Sequence, residues 1–187
     1  MNITLPDGSV KKLEAGSTGF DLANNIGPGL AKAALAVSVN GIQKDLSDPI
    51  NEDSEVSIIT IDSDEGLEIM RHTLTAQVLA KAVKNLYPDT KLAIGPTIKD
   101  GFYYDFEFVK PIAPDDLDKI EKEMQKIINS KSSITKRLHN KKDALKVFNS
   151  AGESYKESII EESEQEDNFQ LYYQDDDAFV DLCRGPH

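Results

Sequence analysis

The sequence has no tryptophan and a single cysteine, Cys183, in 187 residues. One thiol cannot close an internal disulfide, so the fold must be held by an apolar core, as expected in a reducing compartment. No apolar run approaches the roughly 20 residues that cross a bilayer, so no helical membrane span is expected. The opening Met1-Asn2-Ile3-Thr4-Leu5-Pro6-Asp7-Gly8 lacks the basic start and apolar stretch of a secretory signal, and a cytoplasmic location is expected. Positive charge is scarce too: 21 Lys and Arg face 33 Asp and Glu, a formal net charge of −12. Nonspecific nucleic-acid binding needs concentrated basic side chains, so any RNA contact must be local. The best stretch for one is Lys131 to Lys146, with Lys136, Arg137, His139, Lys141 and Lys142 among few acids. The same run reads equally well as the solvated approach to a helix.

What is present suffices for folding. Hydrophobic residues make up 39% of the chain, with seven Phe and six Tyr, and the length suggests two domains. Residues 2–5 and 10–13 flank Pro6-Asp7-Gly8-Ser9, a hairpin pattern. Ser17-Thr18 then caps a short helix through Phe20, Leu22, Ala23 and Ile26 that Gly27-Pro28-Gly29 stops. Ala36 to Val39, leading into an Asn40-Gly41 turn, and Val56 to Thr60 give two more strands. The segment reads ββαββ, a small α+β domain of residues 1–62.

The acidic Asp62-Ser63-Asp64-Glu65-Gly66 separates this strand pattern from a helical one, placing a second domain at 63–187. Leu67 to Leu86 has helical spacing, with Leu79, Ala80, Val83 and Leu86 on one face. Lys91 to Pro96 and Phe102 to Phe108 bracket Lys99-Asp100-Gly101 as a hairpin. Pro114-Asp115-Asp116 opens a helix with its acids at the positive end and a core stripe of Leu117, Ile120, Met124, Ile127 and Ile128. Helices at Lys141 to Ser150 and Tyr155 to Ile160 precede an acidic loop, Glu161 to Asp167. Strands at Phe169 to Tyr173 and Phe179 to Cys183 close the pattern.

The chain ends Asp181-Leu182-Cys183-Arg184-Gly185-Pro186-His187. Strand alternation puts Asp181 and Cys183 on one side, and Gly-Pro can turn His187 back toward the thiol. With His72 this assembles a carboxylate, a thiol and two imidazoles, groups that hold a metal or activate water. The spacing is equally consistent with Cys183 as a small core residue and His187 as a loose terminus. Lys156 reads as a surface lysine by spacing, and Tyr103 and Tyr104 alternate, one ring inward and one outward. His139, among lysines, reads as an exposed polar residue or a phosphate contact.

Four stretches in register carry a resemblance: Arg71-His72; Ile94-Gly95-Pro96 with Asp100-Gly101-Phe102-Tyr103-Tyr104-Asp105; Glu153-Ser154-Tyr155-Lys156; and Asp181 to His187. Together they are similar to the bacterial threonyl-tRNA synthetases. Residues 1–62 resemble that family's TGS module, a ubiquitin-like β-grasp domain, and residues 63–187 its α+β editing domain, of the threonyl/alanyl type, with an antiparallel sheet and flanking helices. The resemblance implies an editing pocket of His72, Tyr104, Lys156, Asp181, Cys183 and His187. Where the family has a second histidine four residues after the first, this chain has Gln77, one residue further on. Residues five apart on an α-helix diverge by about 140°, so a π-bulge near Thr73 to Thr75 is expected to absorb the extra residue.

Editing answers a simple limit. Serine lacks one methyl of threonine, and a methyl gives only about 1–3 kcal/mol of discrimination. The family resemblance implies hydrolysis of the seryl ester on tRNA(Thr), with His72 and Asp181 handling water. Lys156 and Tyr104 would stabilise the oxyanion or leaving hydroxyl, Cys183 and His187 would shape the serine site, and Gln77 would stand in for the missing histidine. No cofactor is expected to be required; zinc, were it bound, would take His72, Cys183 and His187. The expected partners are the 3′ end of tRNA(Thr) carrying serine and the catalytic domain of the same synthetase. Aminoacylation is not expected, and a fragment is favoured over a freestanding deacylase. The competing readings are a tRNA- or partner-binding module with a degraded site and a freestanding zinc-dependent hydrolase of the alanyl type.

Overall fold

A computed structural model describes residues 1–187. The chain divides into two compact units: residues 1–70 with 185–187, and residues 71–184.

In the first unit, β1 (Asn2–Thr4) and β2 (Val10–Lys12) form the expected hairpin. Its turn is fixed by the Asp7 carboxylate, which accepts from the Ser9 N–H at 2.9 Å. Next, α1 (Gly19–Ile26) carries a reciprocal cap: Thr18 accepts from the Asp21 N–H, and the Asp21 carboxylate accepts from the Thr18 N–H. Both orphan donors of the first turn are thereby satisfied. A short α2 (Pro28–Ala33) follows, then β3 (Ala34–Val39), β4 (Ile42–Asp45) and β5 (Ser54–Thr60). The sheet runs β2-β1-β5-β3-β4, with β1 parallel to β5 and the other pairs antiparallel. Strand alternation splits the apolar residues between two faces. Ile3, Val37, Val39 and Val56 pack with Leu22 and Ile50, while Ala36 and Ile59 pack with Ile69.

Through that second contact the first compact unit reaches Met70, past the expected 62/63. The first turns of α3 (Asp64–Thr73) group with the sheet of the first unit. Gly66 lies so close to the Thr60 carbonyl that a Cβ there would collide with it. β4 was not among the expected strands. Its Ile42-Gln43-Lys44-Asp45 is an edge strand with little apolar content, so alternation gives no signal.

In the second unit, helix runs from the end of α3 through a π-helical segment, Leu74–Leu79, into α4 (Ala80–Leu86). Then come four two-residue strands: β6 (Lys91–Leu92), β7 (Thr97–Ile98), β8 (Gly101–Phe102) and β9 (Phe106–Glu107). They pair as β6–β9 and β7–β8. The expected longer strands break at Gly95-Pro96, because proline has no N–H to offer a ladder. Then come α5 (Pro114–Ser130), β10 (Thr135–His139), α6 (Lys141–Ala151), α7 (Ser154–Glu162), β11 (Phe169–Gln174) and β12 (Phe179–Leu182). The last sheet is antiparallel, β10-β11-β12. The fold is therefore α+β throughout.

Two of the three cores of this unit pair helices with α5 and with β11. Val78, Ala82 and Val83 pack on Ile120 and Ile127 of α5. Ala144, Phe148 and Ile160 pack on Phe169, Leu171 and Tyr173 of β11. The stripe expected on α5 is narrower than its spacing suggests, since Leu117 is 59% and Ile128 45% exposed. Ile128 is turned about 100° from Ile127, and Leu117 lies outside the cluster in the first turn. β10 was not expected as a strand: its outward Leu138 and basic neighbours hide the alternation.

Candidate functional site

The site in the second unit is set by an irregular helix. Thr75 Oγ1 donates to the Arg71 carbonyl at 2.8 Å, a local bond that competes with regular helix hydrogen bonding. One turn on, the Ala80 N–H reaches the Thr75 carbonyl five residues back. The extra residue after His72 is thus absorbed in a π turn, a feature frequent at functional sites. Arg71 donates to the Lys99 carbonyl at 2.7 Å, tying the β7–β8 turn to the helix beside His72.

Opposite the helix lies β12, whose alternation sends Phe179 and Asp181 to one face and Val180 and Leu182 to the other. Val180 and Leu182 pack on the core of α6, α7 and β11. Phe179 packs with Ala80, Leu92, Tyr104 and Phe106. Asp181, 1% exposed, thus has its carboxylate on the side of Tyr104. Lys156 of α7 meets it with Nζ at 2.8 Å from Oδ1, and Tyr104 donates its O–H to Oδ2 at 3.5 Å. Lys156 is 4% exposed, so the surface lysine expected from spacing is a buried cation. Its ammonium also lies 5.8 Å from the centre of the Tyr104 ring.

The electrostatics follow from burial. Desolvation pushes the Asp181 carboxyl above the ordinary carboxylate range, and the Lys156 ammonium pulls it back toward ionisation. Burial and the nearby Asp181 charge push the Tyr104 hydroxyl well above its ordinary range, so it remains a proton donor at neutral pH. The Tyr104 ring stacks on Phe106 with centroids 4.6 Å apart. It also lies over Gly95, where a Cβ would strike both the ring and Thr75. Glycine here lets the ring approach the π turn. Tyr103, by contrast, is exposed, as alternation required.

A second contact lies at the edge of the same unit. Cys183 Sγ is 2.8 Å from His72 Nε2, with the Cys183 N–H held by the Gln170 carbonyl at 3.2 Å. The structure therefore brings together His72 with Cys183, and Tyr104 and Lys156 with Asp181.

One expected site residue is engaged elsewhere, and another is grouped with the first unit. Gln77 is fully buried, and its side-chain oxygen accepts from Gln174 Nε2 at 2.9 Å, as does its backbone carbonyl. Gln174 Oε1 in turn accepts from Lys81, which pairs with Asp175 at 2.6 Å. Gln77 thus belongs to an interior polar network. Its Nε2 has no hydrogen-bond partner within the protein. His187 falls with the first unit, where its N–H donates to Asp45 at 2.9 Å.

The basic run is neutralised in part by its surroundings. Asp177 grips Arg137 through two bonds of 2.6 and 2.7 Å, and Lys141 donates to the Ser163 carbonyl. His139, expected to be exposed, is half-buried, with its Nε2 3.0 Å from the Tyr173 hydroxyl. Sequence reasoning missed Lys81 and Gln174 as buried polar partners and Lys84 as a half-buried one; Lys81 stands inside the apolar run Leu79 to Val83, the one local signal of its burial.

Comparison with known proteins settles the kinship. A TGS-domain model matches residues 1–60. A threonine–tRNA ligase of Paramagnetospirillum magneticum is 48% identical over 186 residues, 99% of this chain and 29% of that protein. One from Burkholderia lata is 46% identical over 187 residues, all of this chain and 29% of the relative. One from Acidithiobacillus ferrooxidans is 46% identical over 186 residues and 28% of its length. Residues 1–60 form a TGS domain, and the chain matches the N-terminal region of bacterial threonine–tRNA ligases. It spans less than a third of the length of these relatives. The β-grasp topology of the first unit is the TGS fold, and no helix is long and apolar enough to cross a membrane.

Proposed function

We propose that residues 71–184 hydrolyse the seryl ester of mischarged tRNA(Thr), releasing serine and tRNA with a free ribose hydroxyl. The observation that carries this reading is the convergence of the Lys156 ammonium and the Tyr104 hydroxyl on one buried carboxylate, Asp181. Buried cations and donors that face a developing oxyanion are worth far more than exposed ones. Water attacks the ester carbonyl carbon, and the bond to the ribose oxygen breaks. Lys156 and Tyr104 donate to the oxyanion and to the departing oxygen, which leaves with a proton. His72 and Asp181 orient the water and accept its proton. Cys183, held by His72, lines the amino-acid site. His187 and Gln77 are assigned no step.

The reaction is proposed to run without a metal. The tRNA and the remaining part of a synthetase are the proposed partners. The ligase reaction in the relatives' names is not assigned to these residues.

The test is deacylation of seryl- and threonyl-tRNA(Thr) by the chain, with and without chelator. Seryl-tRNA is expected to be hydrolysed faster, chelator to change nothing, and Lys156→Ala to slow the reaction by about 100-fold or more. Unchanged turnover in Lys156→Ala removes Lys156 from the mechanism. The engagement of Gln77 with Gln174 favours a second reading, a module that binds tRNA without hydrolysing it; tRNA binding with no hydrolysis by the parent chain is its signature.

A further inference from the structure

We infer that Glu153 is a positioning residue that fixes the start of α7 and thereby sets the Lys156 ammonium against Asp181. The inference rests on the proposed hydrolysis for its functional meaning, while the contacts stand on their own. Glu153 occupies the residue before α7, where a side chain ordinarily caps the helix by accepting from its first N–H groups. It makes no such bond. Its carboxylate instead turns inward, almost fully buried, and accepts from the Leu92 N–H at 2.9 Å through Oε2. Oε1 pairs with Lys84 Nζ at 2.7 Å.

Lys84 is saturated in turn. An ammonium has three donors, and besides Glu153 this one reaches the carbonyls of Pro88 at 2.7 Å and Thr90 at 2.9 Å. One carboxylate therefore joins α4, the 87–90 loop and β6 to the residue that precedes α7. Lys91 adds a tie, donating to Ser154 Oγ at 3.0 Å. Lys156 lies three residues after Glu153, one turn along the same side of the chain. A buried ion pair keeps its advantage only with good geometry, and a misplacement of about 1 Å can lower turnover about 100-fold. A clamped helix start is what holds the 2.8 Å contact between Lys156 and Asp181.

Lys84→Met, Glu153→Gln and their double variant of the full chain test this through two readouts. One is kcat and KM for seryl-tRNA deacylation; the other is the acetylation rate of Lys156 by an amine-reactive ester, mapped by mass spectrometry. Each single variant is expected to lower kcat by about 10- to 100-fold with KM within about twofold, and to raise Lys156 acetylation. The double variant is expected to recover part of both, since it leaves no unpaired buried charge. Should Glu153→Gln not fold, Lys84→Met decides alone. A parent that does not hydrolyse seryl-tRNA sinks the proposed function only, and acetylation then decides the clamp. Lys156 acetylation unchanged in the folded single variants overturns the inference.

Discussion

The two units bury different things. In the first, apart from Asp45 and Ser54, the fully buried side chains are apolar, and the sheet and α1 close over Ile3, Leu22 and Val37. In the second, Thr75, Gln77, Lys81, Thr90, Glu153, Lys156, Gln174 and Asp181 are all buried. A buried charge is tolerated only with a partner and costs several kcal/mol without one. The second unit therefore holds many polar groups in fixed places at the expense of stability, and the first holds few. That contrast is why the proposed hydrolysis is assigned to residues 71–184.

The largest expected break in the comparison comes from removing half of a buried pair. Lys156→Met strands the Asp181 carboxylate and is expected to destabilise the second unit by about 3 kcal/mol, the lower end of the range because the carboxyl can take up a proton. Urea unfolding followed through the buried Tyr172 and Tyr173 measures it, and Lys156→Met with Asp181→Leu should regain most of the loss. Next, Gly95→Ala pushes a methyl into Tyr104 and Thr75, an overpacking expected to cost about 1–3 kcal/mol and to slow deacylation by displacing the tyrosine hydroxyl. In the first unit, Thr18→Ala removes the cap of α1 and should cost about 1 kcal/mol, with deacylation unchanged.

The smallest effect is one of pH. Burial holds the Asp181 pKa above its unfolded value, so the native state binds this proton more tightly than the unfolded chain does. The stability so contributed is complete below the unfolded value and is lost as pH rises through the folded one. Asp181→Asn has no such titration. The stability of the parent relative to Asp181→Asn should therefore shrink as pH is raised, and a flat difference in urea titrations would show that burial does not raise this pKa.

The same contrast governs what could be read without coordinates. The first unit was legible because local signals and tertiary structure agree: the Pro6 to Ser9 turn, the Thr18 cap and the Asn40-Gly41 turn each specify their own geometry. The edge strand β4, the short α2 that begins at the expected Gly27-Pro28-Gly29 stop, and the packing of Ile69 on the sheet escaped, since none shows apolar alternation. In the second unit the extra residue between His72 and Gln77 signalled a π turn, and Leu74–Leu79 forms one. The burial of Lys156 and Glu153 was not legible, because ion pairing across long sequence separations leaves no local periodicity. The departure of Gln77 toward Gln174 was hidden for the same reason: its partner is 97 residues away.

The most direct measurement is the ratio of single-turnover rate constants for seryl- and threonyl-tRNA(Thr) with the parent chain and with Lys156→Ala. The expected result is a ratio of at least about 10 in the parent, with the seryl rate falling to near the uncatalysed value in the variant. Equal rates for the two esters, or a seryl rate untouched by the loss of Lys156, would contradict the claim that the buried Lys156–Asp181 pair serves hydrolysis.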